Sequence, residues 1–435
     1  MSSASPAVVL LTGNARLSTE TRILRLVAAF LVASLFLQRF GLPFAGKQIS
    51  LVGPIGYALA GYGLASGLLV FDRRRLILFI ALSALAMAGV AWHVTGAGQF
   101  GGGQMSYTSL AQFLLLTSFA TLSFAEAVSE AAFFRLFTGV LALIGVAGAL
   151  QFAAQIVGLR LFAFTGTLPD GILFEGIYNL QIPVGFGDLL KSNGFFLLEP
   201  SIFSQLMALG LMVEAVGPRR LAYFGVFVTG LFLSFSGTGW IVLATFLLGS
   251  TIGMGARGGL ISLRVAAAVL LAVGITAVFA PDALQSMAAR FGEINTPGTS
   301  GHVRFITPFW LMSDVFGQGP GAALLGIGGG ASEALTLPYL YAVNTPVKVA
   351  VEYGIPAVIV YVLLFAVGQR TPAQLSLVLP ALVLFLFTGG YQQFPPMVFV
   401  ILLLVTVARL KIGDGPSGRF AKLGTNTLRS RNSPA

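Results

Sequence analysis

About twelve stretches of apolar residues run along this chain, each close to the roughly 20 residues that carry a helix across a bilayer. They fall near 23–42, 49–71, 76–95, 106–125, 133–157, 199–216, 221–236, 238–255, 263–281, 347–369, 373–390 and 395–410. A soluble body of this size needs a charged surface, and ordinary globular domains carry about 25% charged residues. Here only 9% of 435 residues are charged. The mean hydropathy of +0.90 agrees. The predicted class is therefore all-α: a polytopic integral membrane protein with about 12 transmembrane helices. The first apolar stretch exceeds a signal-peptide core, and no small-residue cleavage site follows it, so it reads as a retained helix. A single transmembrane domain is expected over residues 1–410, with a basic, disordered cytoplasmic tail over 411–435.

Lys and Arg set the orientation. With the N-terminus inside, 18 of the 25 basic residues gather on one face, among them Arg22, Arg25, Arg73, Arg74, Arg75, Arg219, Arg220 and Arg370. The expected topology is N-in and C-in. The net charge of +10 then reflects orientation and contact with anionic lipid, and nucleic acid is not an expected partner. Two loops are too long to be turns, about 158–198 and 282–346, and both lie outside on this topology. Long loops in compact proteins are usually functional.

The inventory of reactive groups is narrow. The chain has no cysteine and two histidines, His93 and His302, which excludes thiolate and disulfide chemistry and disfavours a histidine metal centre. The span centres hold almost no ionisable residues, which argues against a proton-coupled pump. Nine of the fifteen acids instead fall on the outer face, with Arg160, Lys191, Arg290, Arg304 and Lys348 nearby. Such a surface suits a charged, lipid-linked substrate presented at the outer leaflet, and equally suits ordinary solvated loops.

Three outer segments carry most of the information. The first runs Lys191-Ser192-Asn193-Gly194-Phe195-Phe196-Leu197-Leu198-Glu199-Pro200-Ser201. Pro200 suits the first turn of a helix, which would hold the Glu199 carboxylate at a positive helix N-terminus. The second runs from Arg290 through Gly301-His302-Val303-Arg304 to Trp310 and the glycines of 317–330. Arginine suits bidentate phosphate contacts, and glycines let backbone N–H groups approach an anion. The third runs from Val343-Asn344-Thr345 to Glu352-Tyr353-Gly354-Ile355-Pro356, where glycine and proline loosen a helix start.

These segments resemble the O-antigen polymerase and ligase superfamily of membrane glycosyltransferases over about residues 105–405. The resemblance lies in the Gly-x-Phe-x-x-Glu-Pro-Ser entry to the sixth span, the Arg…Trp…Gly-x-Gly run from Arg304, and the segment from Asn344 to Ile355. Arg160 to Gly171 and Arg290 to Gly301 match the family's Arg-x10-Gly spacing in both outer loops. Two features depart from the pattern. Val343 stands where the ligases carry a histidine before Asn344, which favours a polymerase. Ser236-Gly237-Thr238-Gly239 lacks an arginine frequent in the loop after the seventh span. The Glu-Pro-Ser variant looks more like exopolysaccharide or capsule polymerases.

The resemblance implies an enzyme of the bacterial inner membrane. It would join oligosaccharide repeat units carried on undecaprenyl pyrophosphate, without metal or nucleotide. A flippase and a chain-length regulator of the same pathway are implied partners. Glu199 and His302 are the candidate bases, in that order. Arg290 and Arg304 are expected to hold pyrophosphate, with Lys191 and Arg160 in support, and Asn344 and Glu352 are further substrate-binding candidates. A ligase-type glycan transferase and a lipid-linked solute transporter are the alternatives.

Overall fold

A computed structural model describes residues 6–44, 47–95, 104–159, 172–174, 182–184, 188–279, 281–368 and 370–412. These fold mostly into helices. The first half holds α1 (Pro6–Phe36), α2 (Val52–Ala65), α3 (Arg73–Val94), α4 (Tyr107–Ser118), α5 (Glu130–Ile156), α6 (Pro200–Val216) and α7 (Leu221–Leu233). Next comes α8 (Gly237–Phe279). Short helices follow: α9 (Pro281–Gly292), α10 (Ser300–Phe305), α11 (Thr307–Phe316), α12 (Pro320–Leu325) and α13 (Ala331–Ala334). The chain closes with α14 (Thr345–Tyr353), α15 (Ile355–Ala366), α16 (Pro372–Phe387) and α17 (Pro395–Leu402), the last passing into a π-turn over Leu403–Val407.

Among the described residues, three helical segments are long and apolar enough to cross a membrane: Arg73–Val94, Glu130–Ile156 and Met254–Val278. Six shorter apolar helices accompany them. The apolar runs thus fold as helices, but several are cut short. The run expected over 106–125 is helical only to Thr121 and then turns extended. The strand β4 (Leu122–Phe124) pairs antiparallel with β3 (Leu69–Phe71). The run expected over 347–369 is two helices, α14 and α15, divided at Gly354. The runs expected over 238–255 and 263–281 both fall in α8, which bends sharply where Gly255 leaves helical geometry at φ 56°. The tail expected from residue 411 is ordered at its start, because β6 (Leu410–Lys411) pairs parallel with β5 (Val128–Ser129). A further ribbon joins β1 (Gly41–Phe44) to β2 (Lys47–Ser50).

At the centre stands α6, with every residue buried, including Ser201, Ser204, Gln205 and Glu214. It packs against α5, α7, α8 and α16. A helix enclosed on all sides is apolar around its circumference, and its few polar groups need internal partners. At one end Glu214 accepts from the Arg220 backbone N–H and the guanidinium, with Nη2–Oε2 at 3.0 Å. At the other end lies Glu199. The long loop expected over 282–346 is largely helical, and α11 and α12 pack on α14.

Candidate active site

The start of α6 is positioned by the turn before it. Gln151 of α5 accepts from Ser192 Oγ at 3.0 Å, and its amide donates to Asn193 Oδ1 at 2.9 Å. Asn193 in turn accepts from the Phe195 N–H at 3.1 Å. Gly194 sits at φ 71°, where an added Cβ would meet Ile144 and Phe203 at 2.8 Å. Only glycine fits this left-handed, crowded position. The chain then passes extended through Glu199 (φ −135°, ψ 150°) into Pro200 at the first helical turn, as its residue type predicts. Ser201 Oγ donates to Glu199 Oε2, so the carboxylate is held at the helix entrance.

Across from it, α10 presents Arg304, whose Nη2 lies 3.8 Å from Glu199 Oε2. The two side chains are 30% and 21% exposed, so the pair is accessible to a ligand. At this separation the guanidinium keeps N–H groups available for an oxyanion.

Two cavities meet at this pair. One, of about 290 Å³, is lined by Glu199, Arg304, Lys191 and Ser201, together with Ser236 just ahead of α8 and Thr238 in its first turn. Gly301 and Glu293 close its other wall. The second, of about 220 Å³, is also lined by Glu199, Ser201 and Arg304, and is completed by Val343, Asn344, Thr388 and Tyr391. Glu199, Ser201 and Arg304 are therefore shared by the linings of both cavities.

Ser236, Thr238 and Tyr391 were not among the residues expected at the site. Thr238 Oγ1 donates to the Ser201 carbonyl at 3.3 Å, and the Gly239 N–H donates to Ser204 Oγ at 3.2 Å. A Cβ at Gly239 would meet Ser204 Oγ at 2.3 Å, so the Ser-Gly-Thr-Gly segment that opens α8 presses directly onto α6. Its small hydroxylated residues are the signal that could have marked it. Tyr391 donates to Gln205 Oε1 at 2.6 Å, and no local signal announces a partner 186 residues away.

The expected residues fare differently. Glu199, Arg304 and Lys191 come together at one cavity, and Asn344 reaches the second. Asn344 is also the N-cap of α14, its Oδ1 accepting from the Val347 N–H at 3.1 Å. Arg290 lies on α9, and its side chain is outside the described residues; Arg160 and Gly171 also lie outside them. His302 lines neither cavity. Its buried ring packs edge-on to Trp310 at 5.2 Å, and Trp310 packs on Tyr339 at 5.5 Å. Tyr339 donates to Asp314 at 2.5 Å, and burial together with that carboxylate holds its phenol above the ordinary range. His302 thus begins an aromatic row that braces the loop.

Glu352 is also away from both cavities. It is 1% exposed, accepts from Ser332 Oγ at 2.5 Å, and lies 3.5 Å from the buried Lys348 ammonium, which also pairs with Glu333. The glycines of 326–328 do not turn their N–H groups toward a ligand either. The Ile327 and Gly328 N–H groups donate to the carbonyls of Val351 and Glu352 at 2.8 and 3.0 Å. They satisfy the end of α14 at its break, a packing role in place of the expected anion cradle.

Comparison of the chain with family models, curated proteins and solved structures finds no match.

Proposed function

We propose that this chain is a membrane glycosyltransferase that polymerises lipid-linked oligosaccharide repeat units at the outer leaflet of a bacterial inner membrane. The observation that carries the reading is the Glu199–Arg304 pair, which lines two cavities at once. Joining two glycans requires two adjoining sites and a charged group at their boundary. The sequence resemblance to O-antigen polymerases supports the same reading, as does the apolar character of the helices beneath the site, which suits polyprenyl tails.

In the proposed reaction an acceptor hydroxyl oxygen bonds to the anomeric carbon of the donor, and the bond from that carbon to the pyrophosphate oxygen breaks. Arg304, with Lys191 beside it, neutralises the departing undecaprenyl pyrophosphate. Glu199 takes the acceptor proton. Pyrophosphate is a capable leaving group, so charge stabilisation and positioning are the main demands on the protein. The enclosing architecture is proposed as about twelve spans, N-in and C-in, with both long loops outside.

Deleting the gene and measuring lipid-linked glycans by mass spectrometry tests the reading. Single repeats on undecaprenyl pyrophosphate should accumulate, and long polymer should vanish. Long lipid-linked polymer that forms without reaching a final acceptor would replace this reading by a ligase. Against the ligase stands Val343, which puts an apolar side chain at the second cavity where those enzymes carry histidine.

A further inference from the structure

A third cavity, of about 440 Å³, is lined by five arginines and one carboxylate, and the proposed transfer reaction uses none of them. Arg73, Arg74 and Arg75 come from the start of α3, Arg370 from the link between α15 and α16, and Arg409 from the end of the last helix. Three segments far apart in sequence thus converge on one space.

The floor of this cavity is fixed. Arg75 is 2% exposed and donates through Nη1 to the carbonyls of Ala120 at 2.9 Å and Thr406 at 2.7 Å. Arg370 donates through Nε to Val405 at 3.3 Å and through Nη1 to Ala366 at 3.1 Å. The π-turn at the end of α17 turns the Val405 and Thr406 carbonyls toward these groups. Carbonyls orient a guanidinium but do not cancel its charge, and Arg75 Nε is buried with no hydrogen-bond partner. The one acid, Asp72, is occupied: it caps α3 by accepting from the Arg74 and Arg75 N–H groups, each at 3.1 Å, and pairs with Arg75 Nη2 at 3.4 Å. Arg73 and Arg74 lie exposed at the mouth, with no side-chain partner among the described residues.

We propose that this cavity binds a phosphate group, as the headgroup of an anionic lipid or as a free phosphate. Guanidinium is the side chain suited to tetrahedral oxyanions through forked, charge-assisted hydrogen bonds. A rigid pair of arginines at the floor and two unpartnered ones at the rim form a preorganised receptor. The carbonyl-bound floor distinguishes the cavity from a diffuse basic surface, where all the arginines would be solvated.

The test uses the full chain with two probes. Retention of phosphatidylglycerol against phosphatidylcholine is read by native mass spectrometry, and inorganic pyrophosphate binding by calorimetry in detergent. R73Q/R74Q removes the two rim charges and leaves every carbonyl bond of the floor in place. R22Q/R25Q removes two exposed arginines of α1 as a charge-matched control. Wild type and control should retain the anionic lipid, or bind pyrophosphate, at least about tenfold better than R73Q/R74Q. Lipid retention lost in R73Q/R74Q while pyrophosphate binding is unchanged identifies a headgroup site, and pyrophosphate binding lost in R73Q/R74Q identifies a free-phosphate site, distinct from binding at Arg304 and Lys191, which that variant leaves intact. Equal lipid retention and equal pyrophosphate binding by all three proteins overturn the proposal. If the double variant does not purify, R74Q alone carries the same comparison.

Discussion

Arg304 and Lys348 are both cations near carboxylates, and their surroundings give them opposite roles. Arg304 is accessible, and its single long contact to Glu199 leaves hydrogen-bond donors for a substrate. Replacing it by lysine keeps the charge but loses the planar fork. R304K should therefore lower polymer synthesis by on the order of tenfold to a hundredfold, with the melting temperature unchanged. Lys348 is 5% exposed and bound to Glu352 and Glu333. K348M would leave the Glu352 carboxylate buried without a counter-ion, a loss of about 3–5 kcal/mol. The expected result is a large drop in melting temperature. K348M/E352Q, which removes both charges, should recover much of it. A thermal-shift series on the two variants decides whether Glu352 is structural, as its burial implies, or belongs to the site, as its place in the sequence motif suggests.

Helices were legible where a long apolar run met no competing demand. Glu130–Ile156 and Arg73–Val94 lie close to the expected stretches 133–157 and 76–95. Breaks inside runs were less legible, because they depend on which neighbour approaches. Gly354 shows the cause: its φ is 88°, and an added Cβ would meet the Leu324 carbonyl at 2.1 Å. The backbone of α12 presses into the gap between α14 and α15, which no local pattern announces. G354A should destabilise the protein by on the order of 2–3 kcal/mol, visible as a lowered melting temperature. An unchanged temperature would mean that α12 does not seat there. The strand pairings of β3 with β4 and β5 with β6 have the same character. Each joins segments separated by a helix or more, so neither could be read from its own residues.

At the scale of the whole molecule, the candidate site was partly legible. Glu199 and Lys191 carry charge near the entry of an apolar run, and Arg304 carries charge in the second long loop, ahead of Trp310 and its glycines. Ser236, Thr238 and Tyr391 are neutral and ordinary in type, and only the packing of α6 against α8 and α16 brings their segments to the same place. The proposed topology makes its own prediction. The chain has no cysteine, so single introduced thiols report sidedness directly. Thr296→Cys, in the second long loop, should react with a membrane-impermeant maleimide added to the periplasmic side. Glu126→Cys, between α4 and α5, should react only after the membrane is opened. The reverse pattern would invert the orientation and move both cavities to the cytoplasmic face.

The central claim is that Glu199 and Arg304, at the boundary of two cavities, transfer one glycan to another. The most direct measurement is polymer formation by purified protein in liposomes supplied with undecaprenyl-pyrophosphate-linked repeat units, comparing wild type with E199Q. The account predicts a ladder of lengthening lipid-linked glycans from wild type. It predicts a rate at least about a hundredfold lower from E199Q at equal thermal stability, since general bases contribute roughly 10²–10⁴-fold. A ladder of normal length and rate from E199Q would contradict the assignment of the carboxylate. Transbilayer movement of the substrate by wild type, with no glycan lengthening, would contradict the enzyme reading altogether.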